Sequence, residues 1–264
     1  MTLEEMKPHI EDLRARLLRV IFVFGVLWMA SFLYWKEIYH FIAHPLIKVM
    51  GEEKVGQMIF TGLTEPVVIA LKIATAVSLL LTFPYLLYQI WGFVAPALFQ
   101  HEKRAIKKYT LPIIFWGSVM FFLGASFAYY VAMPIIFKVM ITFGGPDFVP
   151  LLRVREYVSL FSKLILGFGI SFELPVVVYY LTRVGLILPS DLIEFSRYAI
   201  VIIFALAAIL TPPDLLSQFL MAVPMLVLYG VSILISYLAT PDEEIRELLK
   251  RKKEREEDKE GKGE

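Results

Sequence analysis

Long runs of apolar residues dominate this sequence and restrict what it can fold into. The run from Leu164 to Leu181 holds 18 residues with a single charged residue, Glu173. As a helix this run would be about 27 Å long, close to the thickness of the hydrocarbon core of a bilayer. Because 58% of all residues are hydrophobic, the chain is far more apolar than a soluble domain. The sequence therefore predicts an integral membrane protein.

Six segments are apolar and long enough to be read as membrane-spanning helices. They are residues 17–35, 67–91, 111–133, 157–181, 198–211 and 215–238. An even number of spans places both termini on the same side of the membrane. We expect an all-α polytopic membrane protein, with a six-helix transmembrane domain over residues 1–241 and a charged tail over residues 242–264.

The distribution of basic residues predicts on which side the termini lie. Of the 26 Lys and Arg residues, 18 lie in the N-terminal segment through Arg19, the 92–110 and 182–197 loops and the tail, and only 6 lie in the other two loops. Because cytoplasmic loops are enriched in Lys and Arg, both termini are predicted to be cytoplasmic. The tail is either helical or solvated, and its basic cluster is suited to contact with anionic membrane lipids.

The fifth segment is short for a membrane span. Residues 198–211 would form a helix of about 21 Å, which requires either a locally thinned bilayer or helix ends that are covered by neighbouring helices. A longer helix that begins near Ile193 is the alternative.

The loop between the first two spans predicts a structured cap on the outer side. It contains "IYHFIAHPLIKVM" at residues 38–50, in which polar and apolar residues are mixed. Such a stretch is typical of a short helix that lies at the membrane interface.

Glu173 is the polar group that most needs an explanation. An acidic side chain at the centre of a membrane helix costs about 2.5–3.5 kcal/mol on insertion scales. Pro175 follows two positions later and leaves the Ser171 carbonyl without its usual helical partner, so a kink or cavity is expected there. The carboxyl group is then either neutral and hydrogen-bonded or turned to a water-filled concavity. Intramembrane carboxylates are usually functional.

Acidic residues also occur at the predicted cytoplasmic interface. Glu11 and Asp12 lie just before the first span, and Glu102 lies between the second and third spans. Carboxylates bind guanidinium groups with two parallel hydrogen bonds, so these acids could hold arginines of a ligand. The alternative is that they pair with their own neighbours, such as Arg14 or Lys103.

Two polar residues begin the sixth span on one helical face. Asp214 is well placed to cap the helix, and Gln218 could be a docking point for another transmembrane helix.

Enzymatic signatures are missing from the sequence. It contains no HExxH, GxSxG or GxxxxGK[ST] motif and no cysteine, and its four histidines are scattered along the chain. We therefore expect neither an enzyme nor an ATPase, and no metal, cofactor or nucleic acid.

Five motifs make the chain resemble the TatC family, the six-span core receptor of the twin-arginine protein translocase. They are "HIEDLRARL" at 9–17, "HPLIK" at 44–48, "LYQIWGFVAPALFQHEKR" at 87–104, "FGISFELPVVV" at 168–178 and "LTPPDLLSQ" at 210–218. The resemblance covers about His9 to Tyr237. It implies a protein of the cell inner membrane that binds twin-arginine signal peptides of folded precursors and gathers TatA- and TatB-type single-span subunits. It also implies transport driven by the proton-motive force, within a hetero-oligomeric complex that holds several copies of the chain.

The resemblance also assigns roles to single residues. Asp12 and Glu102 match the family's recognition acids, with Arg14 and Phe93 beside them. The family pattern has Glu where this chain has Asp12, so Glu11 could share or take over the role. Further matches are Glu173 with the intramembrane glutamate, Thr211 and Gln218 with positions that contact the single-span subunits, Pro45 with a functional proline of the outer loop, and Asp214 with the acid after the fifth span.

Two other kinds of function are compatible with the residues alone. A proton-coupled small-molecule transporter would use Glu173 as its proton carrier, but such transporters often have two related halves with matching broken helices, and no internal repeat is visible here. A passive membrane scaffold would tolerate changes at the interface acids.

Overall fold

The computed structural model describes residues 3–50, 58–98, 103–144, 152–211 and 214–240. The predicted tail at 242–264 lies outside these residues, so its boundary stays a prediction. Within them the structure is helical, and the only pairing of extended backbone is an isolated bridge between Ile59 and Arg153. The prediction of an all-α fold is therefore confirmed.

Nine α-helices and one short π-helical segment make up the described residues. The helices are α1 (Leu3–Leu33), α2 (Trp35–Met50), α3 (Glu65–Leu98), α4 (Lys103–Phe127), α5 (Met133–Gly144), α6 (Val154–Phe172), α7 (Leu174–Arg183), α8 (Pro189–Leu210) and α9 (Leu215–Ala239). The π-helical segment Ala128–Ala132 joins α4 to α5 without a break.

These helices form six spans of sufficient length and apolarity to cross a membrane. The spans are Ile10–Leu33, Glu65–Val94, Thr110–Phe143, Val154–Arg183, Pro189–Leu210 and Leu215–Ala239. The prediction of six transmembrane helices is thus confirmed for the described part of the chain. We call the end of the bundle that holds α2 the cap end, and the opposite end, where α1 begins, the terminal end.

The fifth span is longer than its apolar core. Helix α8 holds 22 residues, or about 33 Å, so the predicted 14-residue helix is wrong and its length requires no thinned bilayer. The helix begins at Pro189, before the alternative start near Ile193, because the Asp191 carboxylate accepts a hydrogen bond of 3.1 Å from the Leu188 N–H. The first turns of α8 contain charged residues, so their hydropathy is too low for a membrane span to be predicted there.

The helices pack mainly against helices that are close to them in the chain, around a core centred on α6. Helix α1 lies mainly on α3, α4 lies on α3 and α6, and α9 lies on α7 and α8. At the contact of α4 with α6, a Cβ on Gly124 would lie 2.4 Å from the Phe168 carbonyl oxygen. The small-residue pair Gly124 and Ala128 therefore allows the close helix approach that the sequence predicted.

The predicted outer cap is present as helix α2. Ile42, Ala43 and Leu46 are buried against the bundle, whereas His44 and Lys48 on other faces of the helix are exposed. The cap helix packs on α3 and α5. It is therefore a fixed part of the bundle and not only a surface helix at the lipid interface.

Pro45 is buried in the middle of the cap helix and creates a hydrogen-bonding problem there. A proline has no N–H, so the carbonyl four residues earlier loses its helical donor. That carbonyl belongs to Phe41, and it accepts a hydrogen bond of 2.8 Å from the Tyr129 hydroxyl. The Tyr129 ring also stacks on Phe41, with 4.8 Å between ring centroids. Next to it, the Tyr157 hydroxyl donates to the Ile42 carbonyl, so two tyrosines fasten the cap to the bundle.

We predict that Tyr129→Phe loosens the cap, because the Phe41 carbonyl then has no donor. The net loss is about 1 kcal/mol, the usual contribution of one such hydrogen bond. Amide hydrogen exchange of the α2 segment measures it, with faster exchange expected in the variant. Tyr130→Phe is the matched control, since the Tyr130 side chain is 70% exposed. Equal exchange in both variants would contradict this function of Tyr129.

Candidate functional site

The predicted recognition acid before the first span lies in a small polar cluster at the terminal end. The Asp12 cluster consists of Asp12, Arg16, Gln89 and Gly92. Arg16 Nε donates to Asp12 Oδ2 at 2.9 Å, and Arg16 Nη1 donates to Gln89 Oε1 at 3.4 Å. The Arg16 guanidinium thus joins α1 to the buried Gln89 side chain of α3.

Gly92 makes room for this arrangement. A Cβ on Gly92 would lie 2.4 Å from Arg16 Nη1, a distance that two such atoms do not adopt. The guanidinium therefore lies against the backbone of α3 at Gly92, where a side chain would interfere.

The acids and bases around this cluster differ in exposure. The Asp12 side chain is 47% exposed and that of Arg16 is 22% exposed. Glu11 and Arg14 are both exposed, and no hydrogen bond or ion pair to either is found within the described residues. Asp12 is therefore an acid that already holds a guanidinium group, whereas Glu11 faces outward.

Helix α3 is fixed by aromatic contacts close to this cluster. Trp91 Nε1 donates to Thr110 Oγ1 of α4 at 3.0 Å, and the Trp91 ring lies 6.3 Å from that of Tyr180 in α7. Phe93 is half-buried in the same turn. Glu102 lies outside the described residues, so its position relative to Asp12 stays a prediction.

Sequence reasoning missed three of the four residues of the Asp12 cluster. The pairing of Asp12 with Arg16 had a signal, because residues four apart on a helix are neighbours. Gln89 and Gly92 gave none, because their role depends on how α1 packs against α3.

Glu173 lies at the break that Pro175 was predicted to cause. Helix α6 ends at Phe172 and α7 begins at Leu174, so Glu173 is the junction residue of a span that is otherwise continuous. Its side chain is buried, with 8% of the residue exposed. A Cβ on Gly117 would lie 3.1 Å from Glu173 Oε2, so the carboxyl group packs against bare backbone of α4. The predicted kink is present.

The Glu173 carboxyl group is incompletely satisfied. Within the described residues, Glu173 Oε1 is buried and has no hydrogen-bond partner. A buried polar atom without a partner costs about 1–3 kcal/mol. The scaffold therefore gains no evident stability from this side chain.

The third group of predicted residues lies where α8 turns into α9 at the cap end. Asp214 Oδ1 accepts a hydrogen bond of 2.7 Å from the Ser217 N–H, which confirms its predicted role as the N-cap of α9. Gln218 Nε2 donates to the Phe204 carbonyl at 3.0 Å, and Thr211 Oγ1 donates to the Ala207 carbonyl at 2.8 Å. Gln218 thus links α9 to α8, whereas Thr211 bonds the last turn of its own helix.

No group of three or more His, Asp or Glu side chains suited to a metal ion is found in the described ranges. The described residues instead contain carboxyl groups that can form hydrogen bonds, Asp12 at the terminal end and Glu173 inside the bundle.

Comparisons with known proteins find a match over most of the chain. A family model described as "Sec-independent protein translocase protein (TatC)" matches residues 8–224, a range that includes all five sequence motifs. The chain belongs to the TatC family. The earlier resemblance is therefore confirmed.

Curated relatives and a solved structure support the family over most of the chain. The Sec-independent protein translocase protein TatC of Helicobacter pylori (strain J99) is 41% identical over 238 residues, which are 90% of this chain and 91% of the relative. The same protein of Aquifex aeolicus is 38% identical, over 89% of this chain and 95% of the relative. The crystal structure of a "Twin Arginine Translocase Receptor- TatC" superposes with a TM-score of 0.78 at 38% identity and covers 88% of this chain and 100% of that one.

We predict that Glu173→Gln leaves the free energy of unfolding unchanged or raises it. The amide keeps the shape of the side chain and removes an ionisable group that has a buried, unpartnered oxygen. Thermal unfolding of the purified protein in detergent measures this. Asp214→Ala is the contrasting variant, with an expected loss of about 1 kcal/mol for a missing N-cap. A loss for Glu173→Gln as large as that for Asp214→Ala would show that Glu173 is a structural residue.

Proposed function

We propose that this chain is the receptor and core subunit of the twin-arginine translocase and that it binds the signal peptides of folded precursors. Membership of the TatC family makes it a membrane component of the Sec-independent protein translocase and not an enzyme. The similar crystal structure is that of a twin-arginine translocase receptor, which supports the finer assignment. The same family membership does not favour the small-molecule transporter.

The observation that carries the proposal is the hydrogen bond between Asp12 and Arg16. It demonstrates that the Asp12 carboxylate lies where a guanidinium group can reach it, at 2.9 Å, while 47% of its side chain is still exposed. An exposed ion pair of this kind contributes only about 0.3–0.5 kcal/mol. An arginine of a signal peptide can therefore replace Arg16 at little expense in free energy.

Recognition of two arginines needs a second acid, and we assign it to Glu102. Two carboxylates can each form paired hydrogen bonds with one planar guanidinium group, which a lysine ammonium cannot do. Arg14 and Glu11 flank Asp12 and complete the polar surface, and Phe93 offers an aromatic face to the apolar part of the peptide. This arrangement accounts for a preference for arginine over lysine.

The intramembrane residues are assigned to partner subunits. Glu173 would offer its unpartnered oxygen to a polar residue of a TatA- or TatB-type single-span helix. Gln218 donates to Phe204 through its amide nitrogen, and its amide oxygen has no partner among the described residues; with Thr211 it would contact such a helix at the cap end. Pro45 and Asp214 act indirectly, since they shape the cap and the corner between α8 and α9.

We further propose that the chain lies in the cell inner membrane with both termini in the cytoplasm. The excess of basic residues at the terminal end supports this orientation. It brings the Asp12 cluster to the side where folded precursors are made. Transport would then be driven by the proton-motive force, with several copies of the chain and its partner subunits in one complex.

Binding of a labelled twin-arginine peptide to the purified full-length chain tests the proposal. We predict that Asp12→Asn weakens the binding about tenfold or more, since the bound peptide would shield the carboxylate from water and a shielded hydrogen bond between charged groups contributes about 1.5–3 kcal/mol, more than the exposed pair with Arg16. Glu102→Gln is expected to have a similar effect. Both variants should bring the affinity close to that of a peptide with two lysines, which is the reference for lost recognition.

Two control variants sharpen this measurement. Glu11→Gln should leave the affinity unchanged, and a loss there would move the recognition acid from Asp12 to Glu11. Arg16→Gln should tighten binding, because it removes the internal competitor for Asp12. Unchanged affinities in both Asp12→Asn and Glu102→Gln would contradict the proposal.

A further inference from the structure

A polar cavity at the cap end shares one lining residue, Thr211, with the function proposed above and is otherwise not used by it. Its volume is about 520 Å³, and it lies between the start of α3, the first turns of α6 and the end of α8. The side chains that matter here are Thr61, Glu65, Arg153, Arg155, Ser159 and Lys163. We call it the cap-end cavity.

The charges of this cavity are unequal. Among the described residues that line it, Arg153, Arg155 and Lys163 are basic, and Glu65 and Glu156 are acidic. Glu156 pairs with Arg153 at 3.4 Å, and both side chains are largely exposed. One acid, Glu65, is left for two cations.

Glu65 is also largely committed to its own loop. Its carboxylate accepts hydrogen bonds from the Thr61 N–H at 2.7 Å and from Thr61 Oγ1 at 2.9 Å, and the residue is only 7% exposed. It lies close enough to Arg155 to attract it, although the two form no ion pair by distance among the described residues. The Glu65 carboxylate is therefore occupied mainly by Thr61. The N–H donors of Arg155 and Lys163 are thus not taken up by Glu65 among the described residues.

A fourth cation adds to the excess of positive charge. Lys72 of α3 donates to Ser159 Oγ on the wall of the cavity, and Arg155 and Lys163 both repel it electrostatically. This contact shows that Lys72 is turned towards α6. Lys163 Nζ donates to the Ile209 carbonyl at 3.1 Å. Each ammonium group has three donors, so each keeps further donors for a ligand.

The positions of Lys72 and Lys163 along their helices allow their ammonium groups to reach the level of the lipid head groups. Lys72 lies about 10 Å and Lys163 about 14 Å along their helices from the first residue of each. Lysines within membrane spans are costly and usually extend towards the phosphate layer or bind a polar partner. Arg155 and Lys163 line the recess and Lys72 reaches its wall through Ser159, so an anion bound between them would relieve their mutual repulsion.

We propose that the cap-end cavity binds a phosphate group, carried by an anionic phospholipid or present as free phosphate, through Arg155, Lys163 and Lys72. Basic pockets between transmembrane helices bind lipid head groups in this way. A phosphate offers several acceptor oxygens, which matches donors that converge from α3 and α6. A bound lipid would join the start of α3 to α6 and α8 at the membrane surface.

Native mass spectrometry of the full-length protein in detergent tests this proposal. The probes are phosphatidylglycerol, a diacylglycerol with the same acyl chains but no phosphate, and inorganic phosphate alone. We predict that the protein binds phosphatidylglycerol and not the diacylglycerol. The double variant Arg155→Gln with Lys163→Gln should lose this binding about tenfold or more, because each lost charge removes a charge-assisted hydrogen bond.

Matched variants separate the site from general attraction to charge. Lys138→Gln removes an exposed lysine of α5 at the cap end outside the cavity and should bind the lipid normally. Lys163→Arg together with Arg155→Lys keeps both charges and should retain binding. Arg155 and Lys163 are both exposed, so the double glutamine variant should unfold at the temperature of the original protein.

The possible outcomes distinguish the source of the phosphate. Competition by inorganic phosphate, or binding of phosphate without lipid, would identify a free anion as ligand, whereas binding of the lipid alone would identify its head group. Equal binding of all probes to the original protein and the double glutamine variant would overturn the proposal. The cavity is at the opposite end from Asp12, so the double variant should still bind a twin-arginine peptide and failure of either proposal leaves the other intact.

Discussion

The structure depends on the satisfaction of backbone hydrogen bonds where no water is available. Prolines interrupt the spans and the cap, and each one removes a donor from a carbonyl four residues earlier. At Pro45 the Tyr129 hydroxyl replaces the missing donor, and the Tyr157 hydroxyl fastens the neighbouring carbonyl. Close packing at glycines also stabilises the bundle, since Gly124 lets α4 approach the backbone of α6. The bundle can therefore hold a rigid cap without leaving the Phe41 and Ile42 carbonyls unpaired.

Against this background the carboxyl groups divide into two kinds. Asp214 caps α9 through Oδ1, although its Oδ2 is buried without a partner in the described residues, and Glu65 accepts hydrogen bonds from its own loop, so the scaffold uses both carboxylates. Glu173 has a buried oxygen without a partner in the described residues, among which its carboxyl group forms no hydrogen bond, and Asp12 is half-exposed with Arg16 as its partner. Asp12 and Glu173 are two of the acids that the TatC resemblance assigns to signal peptides and partner subunits.

Much of the fold could be predicted from the sequence, because apolar length and proline position act locally. The six spans, the cap helix and the break at Glu173 all follow from such local signals. The start of α8 could not be predicted, since Asp191 and other charged residues occupy its first turns. The Asp12 cluster was only partly predictable, because Gln89 and Gly92 meet Arg16 through the packing of α1 on α3. The cap-end cavity depends on three separate helices and left no pattern in the sequence.

The central claim is that Asp12, Glu102 and Glu173 bind visiting polypeptides and do not support the scaffold. Its most direct test is capture of a folded twin-arginine precursor by membranes that contain the translocase with all three acids replaced, as Asp12→Asn, Glu102→Gln and Glu173→Gln. The account predicts normal insertion and amount of the triple variant together with loss of precursor capture. Normal capture by a normally inserted triple variant would contradict it.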